Sequence, residues 1–283
     1  MRHSLASRIV RYAQRRKVQL GKDEITGALN RFGSFRSSVL LVHSSLSACG
    51  QIFGGAPTVI RALCEWVGGK TLIMPVHSYS YPTRIHEMPV FSVDVAPSRV
   101  GAITEKFRNY PGVKRSYHPS HSIAASGPLS EEICQDHHSC GTPCGAGTPY
   151  AKLVVGECAV LFFGTTLDAY TLFHTAEDAA AVPYLYEARP YNWSLSSGSA
   201  MRGPWVTQRH DMRVPRRFRA MDNWFENRGL LDRMPLGRGE LLLVRSAAQA
   251  HVSLVAALKQ DPFFFVDRRR AVHAVWAPPR HLR

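Results

Sequence analysis

The amino-acid sequence predicts an α/β domain, because short apolar runs of strand length alternate with segments of helical period. Three runs have the composition of buried strands, namely Ser38–Val42, Thr71–Val76 and Cys158–Phe163. Between and after them, Thr58–Val67 and Ser246–Gln260 repeat their apolar residues every three to four positions, as one face of a helix does. This alternation predicts a sheet with helices packed on it.

The remaining elements follow in chain order, and each is predicted from its period and from the glycines or prolines that bound it. They are helices at Lys22–Leu29, Arg99–Tyr110, Leu129–His138 and Pro149–Val155, a proline-rich excursion at Pro82–Pro97, and a late strand at Leu241–Val244. One domain at 22–265 is therefore expected, with a basic N-terminal arm at 1–21 and a basic C-terminal tail at 266–283. The aromatic, arginine-rich stretch at 184–227 predicts a smaller β excursion over one end of the sheet.

Composition limits the class of protein. The chain has 283 residues, 45% of them hydrophobic, which is enough for a substantial core. No run reaches the roughly 20 apolar residues that cross a bilayer, and the N-terminus lacks a secretory signal pattern, so a cytoplasmic protein without a membrane partner is expected. The six cysteines are then expected to be free thiols.

The net charge of +14 at pH 7 permits two interpretations. A basic surface favours polyanions such as nucleic acid or a phosphorylated cofactor. An arginine-rich composition without any such partner gives the same balance.

The stretch Leu161–Asp178 contains the most chemically suggestive pattern. An apolar strand passes through a glycine turn into a helix on which Thr171, His174 and Glu177 share one side. A carboxylate one turn from an imidazole can hold its tautomer, and an oriented imidazole is the usual general base. The alternative is an amphipathic helix with an incidental His-Glu pair.

Polar side chains also follow the first two predicted strands. The run His43–Ser47, with Gly50 and Gly54 after it, could offer N–H groups and hydroxyls to an anion, or could simply form a tight turn. Its spacing matches neither a Walker loop nor the dinucleotide G-x-G-x-x-G. The run His77–Tyr79 lies at the end of the second strand, where open α/β sheets bind ligands.

A loop rich in nitrogen and sulfur donors suggests a different chemistry. His137, His138, Cys140 and Cys144 could close a tetrahedral zinc site or form a thiol enzyme. The spacing is loose and the glycines and prolines between them are typical of a plain loop. We therefore expect no metal, and metal analysis of the pure protein would test this.

Taken together, several segments resemble the antibiotic N-acetyltransferase family, typified by the aminoglycoside 3-N-acetyltransferases. The matching segments are V-H-S-S-L-S-A-C-G at 42–50, T-L-I-M-P-V-H-S-Y at 71–79, P-S-R-V-G-A-I-T-E-K-F-R at 97–108, P-G-V-K-R-S-Y-H-P-S-H-S-I-A-A-S-G at 111–127, T-P-Y-A-K-L at 148–153 and T-L-F-H-T-A-E at 171–177. The likeness covers roughly Lys22 to Phe265. R-S-x-H-P-x-x-S together with T-x-x-H-x-x-E is more specific than either motif alone.

The resemblance implies acetyl transfer from acetyl-coenzyme A to a small-molecule amine. It also implies the family's own fold, a central mixed sheet flanked by helices, rather than the GNAT acetyltransferase fold. His174 matches the family's catalytic base and Glu177 the carboxylate that orients it, with Thr171 beside them.

The resemblance also assigns binding residues. Ser44, Ser45 and Leu46 match the loop that lines the coenzyme, Arg115 and Ser116 the segment beside the pantetheine arm, and His77, Tyr79 and His118 the floor of the cleft. An aminoglycoside is a polycation that needs carboxylates, and the acids near the matching segments are Glu87, Asp94, Asp168, Asp178 and Glu187, of which Asp178 is assigned to the acceptor.

The strongly basic composition leaves the acceptor open between an aminoglycoside and a related amine. A rival interpretation is a non-catalytic basic α/β protein that binds nucleic acid. The sequence also leaves open whether the protein is a monomer or a homodimer.

Overall fold

The computed structural model describes residues 19–82 and 87–276. Most of the predicted N-terminal arm, at 1–18, lies outside the described residues, as does the end of the predicted tail at 277–283.

The described strands and helices alternate as expected for an α/β protein. The strands are β1 (Gln19–Leu20), β2 (Val39–Ser44), β3 (Gln51–Ile52), β4 (Thr71–Pro75), β5 (Val90–Ser92), β6 (Lys114–Arg115), β7 (Ile123–Ser126), β8 (Cys158–Phe163), β9 (Tyr191–Ser197), β10 (Ala200–Thr207), β11 (Asp232–Leu236) and β12 (Gly239–Val244). The helices are α1 (Lys22–Asn30), α2 (Gly55–Val67), α3 (Ala102–Phe107), α4 (Ser130–Cys134), α5 (Pro149–Val155), α6 (Leu172–Ala179), α7 (Phe218–Glu226), α8 (Ala247–Gln260) and α9 (Arg268–Trp276).

The central sheet of the described residues has seven strands in the order β11-β12-β8-β2-β4-β7-β6. β2 pairs in parallel with both β4 and β8, whereas β7 and β12 run antiparallel to these neighbours. The sheet is therefore mixed, which confirms the predicted α/β class with a mixed central sheet.

Helices cover both faces of this sheet, because successive side chains of each strand point to opposite sides. In β2, Val39 and Leu41 belong to an apolar cluster shared with α5, α6, α7 and α8. Leu40 and Val42 belong to a second cluster, shared with α1, α2 and α3. Burying each such leucine stabilises the fold by about 1.5–3 kcal/mol, so the two clusters hold β2 in the middle of the molecule.

A smaller sheet, β10-β9-β5, forms beside the main one. Trp193 is fully buried and contacts the rings of Phe91, at 6.4 Å between centroids, and Trp205, at 5.2 Å. β9 and β10 come from the predicted excursion at 184–227, and β5 comes from the proline-rich segment. The same excursion continues into helix α7, which the sequence did not predict.

Local details depart from the predicted elements. The helix expected at Arg99–Tyr110 begins only at Ala102, because Gly101 before it has φ of +134°. The predicted C-terminal tail contains helix α9. Within the described residues, no helix combines the length and apolar character needed to cross a membrane.

The topology creates one edge where ligands can bind. β2 lies between β4 and β8 and is parallel to both, so the carboxyl ends of the three strands lie at the same edge of the sheet. The segments that leave these ends, 43–46, 75–79 and 164–174, are therefore brought together.

Candidate active site

A cavity of about 230 Å³ opens at this edge of the sheet. It is lined by His43, Ser44, Pro75, His77, Tyr79, Val100, Thr104, His121, Asp168, Ala169, Tyr170, Thr171, His174, Met212 and Phe218. The carboxyl ends of β2 and β4 and the segment after β8 all contribute, as the topology requires.

The ionisable pair predicted on α6 lies at the wall of the cavity. His174 Nδ1 is 2.6 Å from Glu177 Oε2, a contact made possible by their spacing of three on the helix. The His174 side chain is 16% exposed and Glu177 is fully buried. The imidazole of His174 can therefore contact a ligand in the cavity, while the buried carboxylate of Glu177 fixes the orientation of the ring.

Arg216 completes this arrangement from the opposite side. Its Nε donates to Glu177 Oε1 at 3.1 Å, and its Nη1 donates to the carbonyl oxygens of Asp211 and Val214 at 2.8 and 2.9 Å. The guanidinium is 4% exposed, so the Arg216–Glu177 ion pair is buried. The carboxylate is thus fixed between a cation and an imidazole.

The electrostatics keep Glu177 ionised. Burial alone would raise the pKa of this carboxyl, but the charge of Arg216 and the hydrogen bond with His174 outweigh it, and the pKa is lowered below the usual 4.5. An ionised carboxylate only accepts hydrogen bonds, so Nδ1 of His174 carries the proton. In the neutral form of the ring, Nε2 then has the lone pair, and this form can act as a base.

Several other predicted residues also line the cavity. Ser44 lies at its edge where β2 ends, Thr171 immediately precedes α6, and His77 and Tyr79 follow β4. His77 Nε2 is 2.7 Å from the Tyr150 hydroxyl, and burial lowers the pKa of His77 to about 3. His77 is therefore a neutral part of the wall.

Arg115 and Ser116, predicted beside the pantetheine arm, do not line this cavity. Arg115 donates to the carbonyl oxygens of Val93, Ala96 and Val76, at 3.2, 2.6 and 3.2 Å. The Ser116 hydroxyl is buried, 2.9 Å from His137 Nδ1. Both polar groups are thus occupied by the protein itself.

The rest of the predicted binding set also lies away from the cavity wall. His118 is buried, 3.1 Å from the Thr207 hydroxyl, and Asp178 accepts from Tyr186 at 2.5 Å. Ser45 and Leu46 continue the loop beyond Ser44 without reaching the lining. Of the five acids proposed for a cationic acceptor, Asp168 lines the cavity, where its side chain is exposed.

Two histidines that the sequence reasoning did not select pack near the base. The His210 ring is 4.3 Å from that of His174 and 4.9 Å from that of His121, measured between centroids. Burial, and then the neighbouring charge of His174, lower the pKa of His210 well below its usual range. His210 is 36 positions from His174, and no local spacing connects the two.

The residues considered for a metal or thiol site make other contacts. His137 contacts Ser116 and the Pro143 carbonyl, and Cys140 lies 3.4 Å from the carbonyl oxygen of Asp136. Among the described residues, no group of three or more histidine, cysteine, aspartate or glutamate side chains is arranged to hold a metal ion.

Comparison with known proteins agrees with the resemblance. A profile of the family described as aminoglycoside 3-N-acetyltransferase matches residues 41–256. The chain is 35% identical over 182 residues, or 58% of its length, to the SPbeta prophage-derived aminoglycoside N(3')-acetyltransferase-like protein YokD of Bacillus subtilis, and this alignment spans 66% of that protein. It is 32% identical over 251 residues to aminoglycoside N(3)-acetyltransferase IV of Salmonella sp, covering 87% of this chain and 90% of that one.

A solved structure is similar over nearly the whole chain. It is a mutant of aminoglycoside acetyltransferase AAC(3)-IVa in complex with gentamicin, with a TM-score of 0.72 and 28% identity. The match covers 88% of this chain and 92% of that chain.

Proposed function

The chain belongs to the aminoglycoside 3-N-acetyltransferase family, and from this premise we propose that it transfers an acetyl group from acetyl-coenzyme A to an amine, with His174 as general base. Membership confirms the family predicted from the motifs and makes the chain an acyltransferase. The observation that carries the catalytic proposal is the His174 ring, held by buried Glu177 at the wall of a cavity at the sheet edge.

In the proposed reaction, the lone pair of the acceptor amine attacks the thioester carbonyl carbon and a C–N bond forms. His174 Nε2 takes the proton that the nitrogen must lose, while Glu177 stabilises the resulting imidazolium through Nδ1–H. When the C–S bond breaks, the imidazolium returns this proton to the departing thiolate. The products are the N-acetylated amine and coenzyme A.

In this proposal Ser44 contacts the coenzyme directly, because it lines the cavity, and Ser45 and Leu46 hold the shape of the same loop. Arg115 and Ser116 fix the backbone around strand β6, since their polar groups already have protein partners. His77 and Tyr79 form the floor of the site, and Thr171 lies beside the base.

Two observations support an aminoglycoside or a related amine as the acceptor. A relative with 28% identity binds gentamicin in its solved structure. In this chain, the exposed carboxylate of Asp168 at the cavity wall can pair with an ammonium group of the acceptor. Asp178 and His118 lie further back and would support this side of the site through Tyr186 and Thr207.

The test is to incubate the protein with acetyl-coenzyme A and a panel of amines that includes gentamicin, simpler amino sugars and amino acids, while free thiol is measured. The proposal expects thiol release that depends on one class of amine and yields the acetylated amine by mass spectrometry. If no amine stimulates thiol release, or if the amine is recovered unmodified, the proposal is wrong.

A further inference from the structure

The ring of His210 packs against the ring of the proposed base. The two centroids lie 4.3 Å apart, with an angle of 40° between the ring of His210 and that of His174. His210 is 2% exposed and is not among the described residues that line the cavity. His210 therefore contacts the base itself and not a ligand in the cavity.

His210 is in turn held by its own backbone and by a second ring. The main chains of Tyr186 and His210 pair as an antiparallel bridge. The amides of Glu187 and Asp211 donate across this bridge to main-chain carbonyl oxygens, each at 2.8 Å. The Tyr186 ring stacks on the His210 ring, with 5.6 Å between centroids and 27° between planes.

These contacts form a closed path that begins and ends on helix α6. Tyr186 Oη donates to Asp178 Oδ1 at 2.5 Å, and Asp178 directly follows Glu177 on α6. The Tyr186 ring packs on His210, and the His210 ring packs on His174, which lies on the same helix. The ring that contacts the base is thus anchored to the helix that carries the base.

The segment 210–216 contacts both members of the ionisable pair on α6. His210, at the start of the segment, packs on the imidazole, and Arg216, at its end, forms the buried ion pair with the carboxylate. The Asp211 carbonyl oxygen accepts from Arg216 Nη1 at 2.8 Å, which ties the two ends of the segment together. One continuous piece of chain therefore holds the imidazole and the carboxylate.

A single hydrogen bond does not fix the plane of an imidazole. The contact with Glu177 fixes Nδ1 of His174 and leaves the ring free to tilt about that atom. A second ring in contact removes this freedom, because paired rings prefer particular angles and separations. That second ring must be uncharged, since a cation at this distance would repel the imidazolium that forms during the reaction. Burial meets this need by lowering the pKa of His210 well below its usual range.

We propose that His210 is a positioning residue that keeps the His174 ring in one orientation at the cavity wall. This inference rests on the proposed acetyl transfer. The polar atoms of His210 are not required for the role, because its Nε2 is buried and has no hydrogen-bond partner among the described residues. What the base requires from position 210 is an uncharged planar ring.

The variants His210→Ala and His210→Phe test the proposal, because the first removes the ring and the second restores an uncharged ring without the imidazole nitrogens. His210→Ala should lower kcat by about 10-fold to 10²-fold, the effect of misplacing a catalytic group by about 1 Å, while KM for acetyl-coenzyme A and for the amine changes little. His210→Phe should keep kcat close to the wild-type value. If circular dichroism shows that the alanine variant does not fold, His210→Leu takes its place, because it nearly preserves the side-chain volume.

His251→Ala is the matched control. His251 lies on α8, outside the cavity lining, and its Nδ1 is also buried without a hydrogen-bond partner among the described residues. Its replacement should leave kcat unchanged.

A spectroscopic measurement reports the orientation of the base without any turnover. The Nδ1–H of His174, 2.6 Å from a carboxylate oxygen, should give a proton resonance at unusually low field, which is assigned by its loss in His174→Ala. The resonance should persist in His210→Phe and in His251→Ala. In His210→Ala it should broaden or move to higher field, because the ring can turn away from the carboxylate.

The outcomes separate this inference from the proposed function. Full kcat and an unchanged resonance in His210→Ala would overturn the positioning role and leave the proposed function standing. A loss of kcat in His210→Phe as large as in His210→Ala would also overturn it, because the imidazole nitrogens would then be the required groups. If the wild type transfers no acetyl group to any amine, the proposed function fails, and the resonance still reports whether His210 fixes the ring of His174.

Discussion

Replacing Arg216 by methionine tests whether the buried ion pair holds Glu177 ionised behind the base. The change removes the cation 3.1 Å from Glu177 Oε1 and leaves a carboxylate that is fully buried. The carbonyl oxygens of Asp211 and Val214 also lose their donor. Removing one partner of a buried pair costs about 3–5 kcal/mol, so we expect Arg216→Met to lower the free energy of unfolding by that amount at pH 7.5.

The loss should depend on pH, and its sign follows from the pKa of Glu177. In the wild type this pKa is lowered below 4.5, so the ionised carboxylate contributes stability above pH 4.5 that is lost as the pH falls through the folded value. In the variant, burial dominates and raises the pKa above its unfolded value. The variant is then least stable at high pH, and the difference from wild type should shrink at pH 5, where Glu177 can take a proton.

Urea unfolding at pH 7.5 and pH 5 measures both quantities. The double variant Arg216→Met/Glu177→Gln is the matched control, because it removes both charges and should be more stable at pH 7.5 than Arg216→Met alone. A destabilisation below about 1 kcal/mol, or one of equal size at both pH values, would refute the reasoning from the buried pair.

Three further predictions concern other parts of the molecule. Asp168→Asn should raise KM for the acceptor amine about tenfold with little change in kcat, and an unchanged KM would remove Asp168 from the acceptor side. Gly237→Ala should lower the free energy of unfolding, measured in urea, by more than about 2 kcal/mol, because Gly237 has φ of +61° and the added methyl group would overlap the Cys49 carbonyl oxygen. Gly198→Ala should lower it by less, because Gly198 has a similar φ of +56° but open space around it. Thiol reagents should label exposed Cys64 first and the buried cysteines only after unfolding, as mass mapping would reveal.

The parts of the site that the sequence could predict are those encoded locally. The strands β2, β4 and β8 are continuous apolar runs, and the His174–Glu177 contact follows from a spacing of three on one helix. Parallel strands then bring the ends of these runs to one edge. This is why Ser44, His77 and Thr171 could be expected near the same ligand before the structure was known.

Other features depend on contacts between distant segments. Arg216 pairs with a glutamate 39 positions away, and no short motif links the two. Strand β11 contains charged residues and Pro235, so its composition does not indicate a strand. It forms one because it lies at the edge of the sheet and pairs with β12 alone, a position in which a proline is tolerated.

The hydrogen-bond partners of Arg115 also depend on the fold. The sequence resemblance places Arg115 beside the pantetheine arm, and in the fold its guanidinium donates to the main-chain carbonyl oxygens of Val76, Val93 and Ala96 in partly buried hydrogen bonds. Buried carbonyl groups that lack a partner in a regular strand or helix require such donors. That need arises from the positions of Val76, Val93 and Ala96 around strand β6, which only the folded structure reveals.

The most direct measurement of the central claim is the single-turnover rate of acetyl transfer by His174→Ala, with the affinity for coenzyme A measured on the same sample by calorimetry. The account predicts a rate about 10²–10⁴-fold below wild type, with coenzyme affinity retained. Transfer at the wild-type rate would contradict the assignment of His174 as the base.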